Sequence, residues 1–266
     1  MGVLNVTPDS FSDAGSLFRQ GKPDLGAIVS VARGMLEDGA VILDIGGEST
    51  RPGAEPVSVS QECGRVMPVI ERLLELDTII CVDTSKREVA VEALAMGCHM
   101  VNDVYGLRSE GMLQALAAGG AAVCIMHMRG EPRSMQRDPQ YADVVGEVRD
   151  FLAERVNACR GAGIDPARLV IDPGIGFGKT LTHNLALLRN LGKLKVHGVA
   201  LLVGVSRKSM LGTITGRRVP QRVVASAVAA ALAVQQGADI VRVHDVAATA
   251  DALRMVRAWT AAEEIP

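Results

Sequence analysis

The amino-acid sequence has little of several features that mark large classes of protein. Aromatic residues make up 3% of its 266 residues, and 28 basic residues are balanced by 30 acidic ones. So few aromatic side chains argue against a surface that stacks single-stranded nucleic acid. Without an excess of positive charge, the usual driving force for binding nucleic acid or anionic membranes is also missing. The composition therefore predicts neither a nucleic-acid partner nor a membrane partner.

Cysteine is scarce as well, and its spacing lacks the patterns of disulfide or zinc proteins. The five cysteines are Cys63, Cys81, Cys98, Cys124 and Cys159. Their odd number and the lack of a C-x-x-C pair argue against a disulfide framework or a zinc site. The longest apolar stretch, Val223–Val234, is interrupted by Ser226 and is too short to span a bilayer. No export signal is visible near residue 1, so a reducing, cytoplasmic location is expected.

What the sequence does contain is a regular alternation of short apolar runs and helical segments. Apolar residues make up 48%, enough to build a folded core. Strands are predicted at Gly2–Thr7, Val41–Gly46, Thr78–Asp83, Met100–Asp103, Ala122–His127, Leu169–Asp172, Leu201–Val205 and Asp239–Val243. Helices are predicted at Leu25–Asp38, Ser60–Leu76, Arg87–Met96, Met112–Ala118, Asp143–Arg160, Asn184–Leu194, Arg222–Gln236 and Ala247–Ala262. Several of these helices stop at a glycine, as at Gly39, Gly97 and Gly237, which is a C-cap signal.

The number of strand–helix units predicts the fold class. Eight units in 266 residues indicate an α/β protein with a single (β/α)8 barrel, one domain over residues 1–266. A doubly wound open sheet is the alternative. The glycine-rich dinucleotide-binding turn of that fold is missing after the first strand, where residues 5–10 read N-V-T-P-D-S.

Polar residues cluster where each predicted strand ends. They are Asn5, Asp44, Glu48, Thr50, Arg51, Asp83, Asn102, Asp103, His127, Asp172, Ser206–Lys208, Arg242 and His244. In a (β/α)8 barrel all these strand ends meet at one rim, where active sites are built. A single polar residue at such a place is also explained as a helix N-cap, as for Ser85 or Asp245. Capping does not explain amides, carboxylates and cations that converge from eight strands.

The segments around these strand ends form an ordered set. They are L-N-V-T-P-D-S-F-S-D (Leu4–Asp13), D-I-G-G-E-S-T-R-P-G (Asp44–Gly53), V-D-T-S-K (Val82–Lys86), V-N-D-V (Val101–Val104), M-H-M (Met126–Met128), D-P-G-I-G-F-G-K (Asp172–Lys179), G-V-S-R-K-S-M (Gly204–Met210) and R-V-H-D-V (Arg242–Val246). In this order, with one motif per strand, the set resembles the dihydropteroate synthases, a family of pterin-binding TIM barrels. The resemblance runs from near residue 1 to residue 246.

The resemblance implies a transferase of folate biosynthesis. Enzymes of this family join 6-hydroxymethyl-7,8-dihydropterin pyrophosphate to p-aminobenzoate and release 7,8-dihydropteroate and pyrophosphate. Sulfonamides mimic p-aminobenzoate in this family. Its members are commonly dimeric, and the Ala- and Val-rich helices at the end of the chain offer a seam for a homodimer.

The edge of a pterin ring alternates hydrogen-bond donors and acceptors, so its site needs a carboxylate together with an amide or ammonium. Asp83, Asn102, Asp172 and Lys208 supply that set, and the resemblance places all of them in the pterin pocket. Two alternatives remain: Asp83 could cap the helix that starts near Ser85, and Lys208 could lie at a solvated helix start. Phe177, in a glycine-rich loop, could stack on the heterocycle or plug the barrel mouth.

The pyrophosphate leaving group calls for cations and a metal ion. Arg242 and His244 follow the eighth strand, beside the usual phosphate site of these barrels, and Thr50 and Arg51 could add donors. Asn5 is the predicted Mg²⁺ ligand, because Mg²⁺ keeps several waters and takes phosphate oxygens. Asp13 could join it. His127 lies between two methionines and is expected to be a core or rim histidine rather than a catalytic one.

The second substrate is expected at a separate part of the rim. Ser209, at the predicted start of a helix, offers a seat for the p-aminobenzoate carboxylate. The resemblance suggests that Phe11 and Pro52 wall the ring. The expected mechanism is a dissociative substitution at the methylene carbon, in which Arg51 and other cations stabilise the departing pyrophosphate. The predicted catalytic residues are Asp83, Lys208, Arg242 and His244.

Two other functions are compatible with a pterin-binding barrel. A methyltetrahydrofolate-binding methyltransferase domain would recognise the same ring but would have no pyrophosphate to hold, leaving R-V-H-D-V and S-R-K-S without a purpose. A non-catalytic paralogue should have lost rim residues, and none is missing here. The departures from the family pattern are Ile175, where many members have Phe, and Ala14 beside Gly15, where Gly-Gly is common.

Overall fold

A computed structural model describes residues 1–8, 17–19, 21–50 and 53–262. Its eight parallel strands are β1 (Gly2–Asn5), β2 (Ile42–Gly46), β3 (Ile79–Asp83), β4 (Met100–Asp103), β5 (Ala122–Met126), β6 (Leu169–Asp172), β7 (Ala200–Val203) and β8 (Ile240–Val241). They lie side by side in chain order. A parallel bridge between Gly2 and Val243 joins the last strand to the first. The predicted (β/α)8 barrel is confirmed.

Helices cover the outside of the strands. They are α1 (Leu25–Glu37), α2 (Val59–Leu73), α3 (Arg87–Ala95), α4 (Met112–Ala118), α5 (Val144–Gly161), α6 (Leu181–Arg189), α7 (Leu191–Leu194), α8 (Ser209–Thr215), α9 (Val223–Gln235) and α10 (Val246–Ala262). A short antiparallel hairpin, Phe18–Arg19 with Lys22–Pro23, precedes α1 and was not predicted. Within the described ranges, no helix is long and apolar enough to cross a membrane.

Side-chain caps explain where two predicted helix starts were wrong. The prediction began α2 at Ser60, but Ser58 accepts a hydrogen bond from the Gln61 amide at 3.2 Å, and Gln61 accepts one from the Ser58 amide at 2.9 Å. This reciprocal capping box fixes the first helical residue at Val59. Thr180 caps α6 in the same way, so that α6 begins at Leu181, three residues before the predicted start at Asn184. The predicted single helix to Leu194 is two helices, because Asn190 leaves the helical conformation between them.

The barrel interior changes from apolar to polar along the strands. At the amino end, one apolar layer is formed by Met1, Ile42, Cys81, Met100, Cys124, Val170 and Leu202. Side chains two positions apart in a strand point to the same face. Two residues further along, the same face therefore carries Asp44, Asp83, Asn102, Asp172 and, after Ile240, Arg242. A larger core between strands and helices supports this arrangement from outside.

Candidate active site

A cavity of about 490 Å³ opens at the carboxyl end of the barrel, within the size range of small-ligand sites. Eight predicted site residues line it, namely Asn5, Thr50, Asp83, Phe177, Lys208, Ser209, Arg242 and His244. Asn102 and Asp172 are buried at strand ends beside it. Arg51 lies outside the described residues, as do Phe11, Asp13, Ala14 and Pro52.

An arginine shared by two carboxylates forms one side of this cavity. The Arg242 guanidinium donates from Nε to Asp44 Oδ2 at 2.5 Å and from Nη2 to Asp83 Oδ2 at 2.7 Å. Asp44 is completely buried. Burial and the nearby Asp44 charge raise the pKa of Asp83, and Arg242 opposes that rise. Asp83 is thus engaged with Arg242 and does not cap α3, where the capping position is Lys86.

A second group of residues surrounds the Lys208 ammonium. Lys208 donates a hydrogen bond to the Ile175 carbonyl, and its Nζ lies 4.7 Å from the centre of the Phe177 ring. Burial lowers the pKa of Lys208 to about 8, while the Asp172 charge opposes the shift. Burial likewise raises the pKa of Asp172, whose Oδ1 accepts from the Gly174 amide at 2.7 Å. Lys208 is therefore half-buried among acceptors rather than solvated.

The remaining predicted residues, Asn102 and His244, also lie at the carboxyl end of the barrel. Asn102 on β4 is the register partner of Asp83 on β3, so their side chains are neighbours on the same face of the sheet. After β8, the His244 amide donates to Ser206 Oγ at 3.1 Å, and the His244 Nδ1 lies 3.0 Å from the same oxygen. Ser206 thereby fixes the imidazole at the cavity rim.

Comparison with known proteins identifies the family. A model described as pterin binding enzyme matches residues 1–244. The dihydropteroate synthase of Escherichia coli strain K12 is 46% identical over 265 residues, which covers 99% of this chain and 92% of that protein. The Haemophilus influenzae enzyme of the same name is 47% identical, with coverage of 98% and 92%. The chain belongs to the dihydropteroate synthase family.

Solved structures of this family have the same fold. The Yersinia pestis synthase, solved with a sulfonamide drug complex, has a TM-score of 0.93 and 45% identity, covering 98% of this chain and 94% of its own. The Burkholderia cenocepacia synthase, complexed with 7,8-dihydropteroate, has a TM-score of 0.88 and 44% identity, covering 99% and 92%. The predictions of family, fold and enzyme class, a transferase, are confirmed. The relatives favour the synthase over the methyltransferase alternative.

The donor set suits a metal ion only if the substrate brings most of the ligands. Among the described residues, no group of three or more His, Cys, Asp or Glu is arranged to hold a metal. Asn5, at the end of β1, places a carboxamide on the cavity wall. Mg²⁺ retains several waters and binds phosphate oxygens, so a single amide from the protein is compatible with it. A zinc cage, in contrast, does not fit.

Several residues at the site received no role in the sequence prediction. Asp44 lies at a strand end, but its partner Arg242 is 198 positions away and no sequence signal joins them. Glu48 accepts from Lys86 Nζ at 2.7 Å, and Lys86 also donates to the buried Glu62 at 2.5 Å. The motif V-D-T-S-K contained Lys86, yet only the fold reveals its two carboxylate partners.

His127 and Lys179 form a buried pair behind the cavity. The Lys179 Nζ lies 2.9 Å from His127 Nδ1. Burial and the Lys179 charge lower the pKa of His127 to about 3, so the ring is neutral. His127 is buried, with 6% of it exposed, which is the position expected of a core histidine.

Proposed function

We propose that this chain condenses 6-hydroxymethyl-7,8-dihydropterin pyrophosphate with p-aminobenzoate to give 7,8-dihydropteroate and pyrophosphate. One observation carries the proposal: Asp83 and Lys208 line one cavity of about 490 Å³. Asn102 is buried beside Asp83 in the sheet register, and the buried Asp172 carboxylate acts electrostatically on Lys208. This array matches the alternating donors and acceptors of a pterin edge. Family membership supports the same reaction.

The pterin is proposed to lie between Asp172 and Lys208. A carboxylate accepts from the ring N–H and amino donors, and the ammonium donates to ring acceptors. Asn102, only 4% exposed beside Asp83, adds an amide that both donates and accepts. Phe177 already lies against the Lys208 ammonium, and its flat face is suited to stack on a heterocycle. Its alternative role as a plug is less favoured, because it lines the open cavity.

The leaving group is proposed to depart at the Arg242 side of the cavity. Arg242 stays charged because two carboxylates raise its pKa further, and His244 is fixed by Ser206 close by. Asn5 and Thr50 face the same space, and Arg51 is proposed to contribute as well. A Mg²⁺ ion held through Asn5 would neutralise charge on the departing pyrophosphate. The dihydropterin ring spreads the resulting positive charge, and Asp83 and Asp172 stabilise it.

The arylamine is proposed to enter from the outer rim. Ser209 is exposed there, and its hydroxyl can donate to the p-aminobenzoate carboxylate. The amine of an aniline is mostly unprotonated at neutral pH, so it attacks the methylene carbon without a strong base. The proton it releases on bond formation passes to solvent.

The partner proposed for the outer surface is a second copy of this chain. Val224, Val228 and Leu232 are 75%, 52% and 56% exposed at intervals of four residues along α9. Met255 and Trp259 are 70% and 68% exposed on α10, which packs against α9. An apolar face of this kind, spread over two neighbouring helices, is typical of an isologous dimer interface.

Two broader proposals concern the whole chain. The described residues build one barrel, which supports a single domain over residues 1–266. A location in the reducing cytoplasm is also proposed, and the five free cysteines are compatible with it.

The decisive experiment is the formation of dihydropteroate and pyrophosphate from the two substrates, with Mg²⁺ and with EDTA. We expect product with Mg²⁺ and none with EDTA. Asp172→Asn should raise the KM for the pterin about 10- to 100-fold, as expected when a charged hydrogen-bond partner is lost. Asp251→Asn, at a residue whose side chain is 77% exposed, is the matched control and should change nothing.

Each other result has a definite meaning. Tight binding of the pterin pyrophosphate without product would favour the non-catalytic paralogue. Product that persists in EDTA would remove the metal from the proposal. Unchanged kinetics in Asp172→Asn would remove that residue from the pterin site.

A further inference from the structure

A lysine that the proposed reaction does not use lies behind the loop 173–178. Lys179 is only 3% exposed. Its Nζ donates to the Gly174 carbonyl at 3.0 Å and to the Phe177 carbonyl at 3.0 Å, and it lies 2.9 Å from His127 Nδ1. An ammonium has three hydrogens, and these three acceptors satisfy all of them.

Burying an ammonium group beneath a loop is energetically unfavourable, because the charge loses its hydration. Among the described residues, every hydrogen-bond partner of Lys179 is neutral. Burial lowers the pKa of Lys179 well below its usual value, and the Asp172 charge, which is not hydrogen-bonded to it, only partly opposes that shift. A buried charge without a paired carboxylate contributes little to stability compared with a well-packed apolar side chain. Its presence indicates a task that an apolar side chain would not perform.

The loop around Lys179 is pressed against the backbone of His127. Gly174 has a φ of +65°. A β-carbon at this position would lie 1.9 Å from the His127 carbonyl oxygen, so only glycine fits. On the other side of the loop, the Gly176 amide donates to Asn184 Oδ1 at 2.7 Å. The loop is thus held at Gly174 and Gly176, and the Lys179 ammonium adds hydrogen bonds to the Gly174 and Phe177 carbonyls.

The same loop carries the two groups that contact Lys208. The Ile175 carbonyl accepts its hydrogen bond, and the Phe177 ring lies under its ammonium. Lys179 donates to the carbonyl of Gly174, which precedes Ile175, and to the carbonyl of Phe177 itself. A change in the position of Lys179 is therefore transmitted to Lys208 through one short segment.

We propose that Lys179, anchored on His127, is a positioning residue that fixes the loop 173–178 in the shape that orients Phe177 and Lys208 for pterin binding. This inference rests on the proposed function, since it concerns the same pterin site. Neither residue touches the reacting atoms. Their effect is on the affinity for the pterin and not on the arylamine, because the proposed arylamine seat at Ser209 lies outside the loop.

The test compares the two substrates in variants of the full chain. Lys179→Met keeps the length of the side chain and removes its donors. We expect the Kd for the pterin pyrophosphate, measured by calorimetry, to rise about tenfold or more, as displacements of catalytic groups do. The KM for p-aminobenzoate, measured at saturating pterin, should change less than about threefold. Lys193→Met, at an exposed lysine on α7, is the matched control.

A second pair of variants tests the same idea through the acceptor. His127→Leu removes the nitrogen that faces Lys179, whereas His127→Gln keeps an oxygen that can accept. We expect weaker pterin binding in the leucine variant and recovery of most of it in the glutamine variant. If Lys179→Met does not fold, as judged by circular dichroism, this pair decides the question.

The possible outcomes separate this inference from the proposed function. If the unmodified chain does not bind the pterin pyrophosphate, the proposed function fails. If it binds and folded Lys179→Met binds equally well, only the positioning role fails. Equal losses for both substrates in the lysine and leucine variants would indicate a general structural role and would also overturn the inference.

Discussion

The proton on Lys208 should make pterin binding depend on pH in the mildly alkaline range. Burial lowers the pKa of Lys208 to about 8 in the free protein. The ammonium proposed to donate to the pterin is therefore present below this pH and is lost as the pH rises through it. With a pKa of about 8, the charged fraction falls from about 90% at pH 7 to about 10% at pH 9. If only the charged form binds, affinity falls about tenfold over this interval.

The pyrophosphate also titrates, so the affinity of one protein alone does not isolate Lys208. Lys208→Arg provides the reference, because a guanidinium stays charged throughout this range. Its absolute affinity will be lower, since the planar group does not fit the contacts of Lys208 with Ile175 and Phe177. The ratio of the two affinities, measured by calorimetry at intervals from pH 7 to pH 9, removes the titration of the ligand. We expect this ratio to fall about tenfold.

A ratio that stays constant over this range would refute the reasoning. It would mean either that Lys208 keeps its proton despite burial or that its charge does not contribute to pterin binding. A ratio that only begins to fall near pH 9 would mean that Asp172 outweighs burial and holds the proton on Lys208 more strongly than the structure indicates.

Three further predictions concern the ion pairs and the outer surface. Asp44→Asn should lower the free energy of unfolding by about 2 kcal/mol. This is less than the roughly 3–5 kcal/mol that breaking a buried ion pair usually costs, because Arg242 keeps Asp83 as its second carboxylate. Urea unfolding measures the change, and the m-value should stay the same. Lys86→Met should lower the free energy of unfolding by about 3 kcal/mol, because Glu62 is left buried and unpaired. In the same assay, the double variant with Glu62→Gln should recover part of this loss. Trp259→Glu should convert a dimer to a monomer in sedimentation analysis, and a variant that remains dimeric would place the interface elsewhere.

The sequence was sufficient to predict the barrel because its signals are local and repeated. Each strand is a short apolar run, and a glycine commonly ends the helix before it. Met100–Asp103 and Leu169–Asp172 were predicted at their observed bounds. The predicted strand Asp239–Val243 was longer than the observed Ile240–Val241, since neighbouring residues pair only by isolated bonds at the closure of the barrel.

The positions of polar groups were predictable, but their partners were not. The rule that strand ends meet at one rim was enough to collect Asp83, Lys208 and Arg242 around one cavity. The rule does not reveal that Arg242 pairs with Asp44, or that Lys179 turns away from the cavity toward His127. Such contacts depend on side-chain directions set by packing, and a motif contains no information about them.

The ion pairs of Arg242 limit how it could act on the pyrophosphate in the proposed reaction. Its Nε and Nη2 atoms are committed to Asp44 and Asp83, and Nη1 belongs to neither ion pair. In the described part of the chain, Asp44 Oδ1 already has no nitrogen or oxygen partner. If Arg242 moved away to follow the leaving group, Asp44 would remain as a fully buried, unpaired carboxylate, which costs several kcal/mol. In the proposed reaction Arg242 would therefore act from a fixed position through Nη1, as a preorganised charge that needs no rearrangement when pyrophosphate departs.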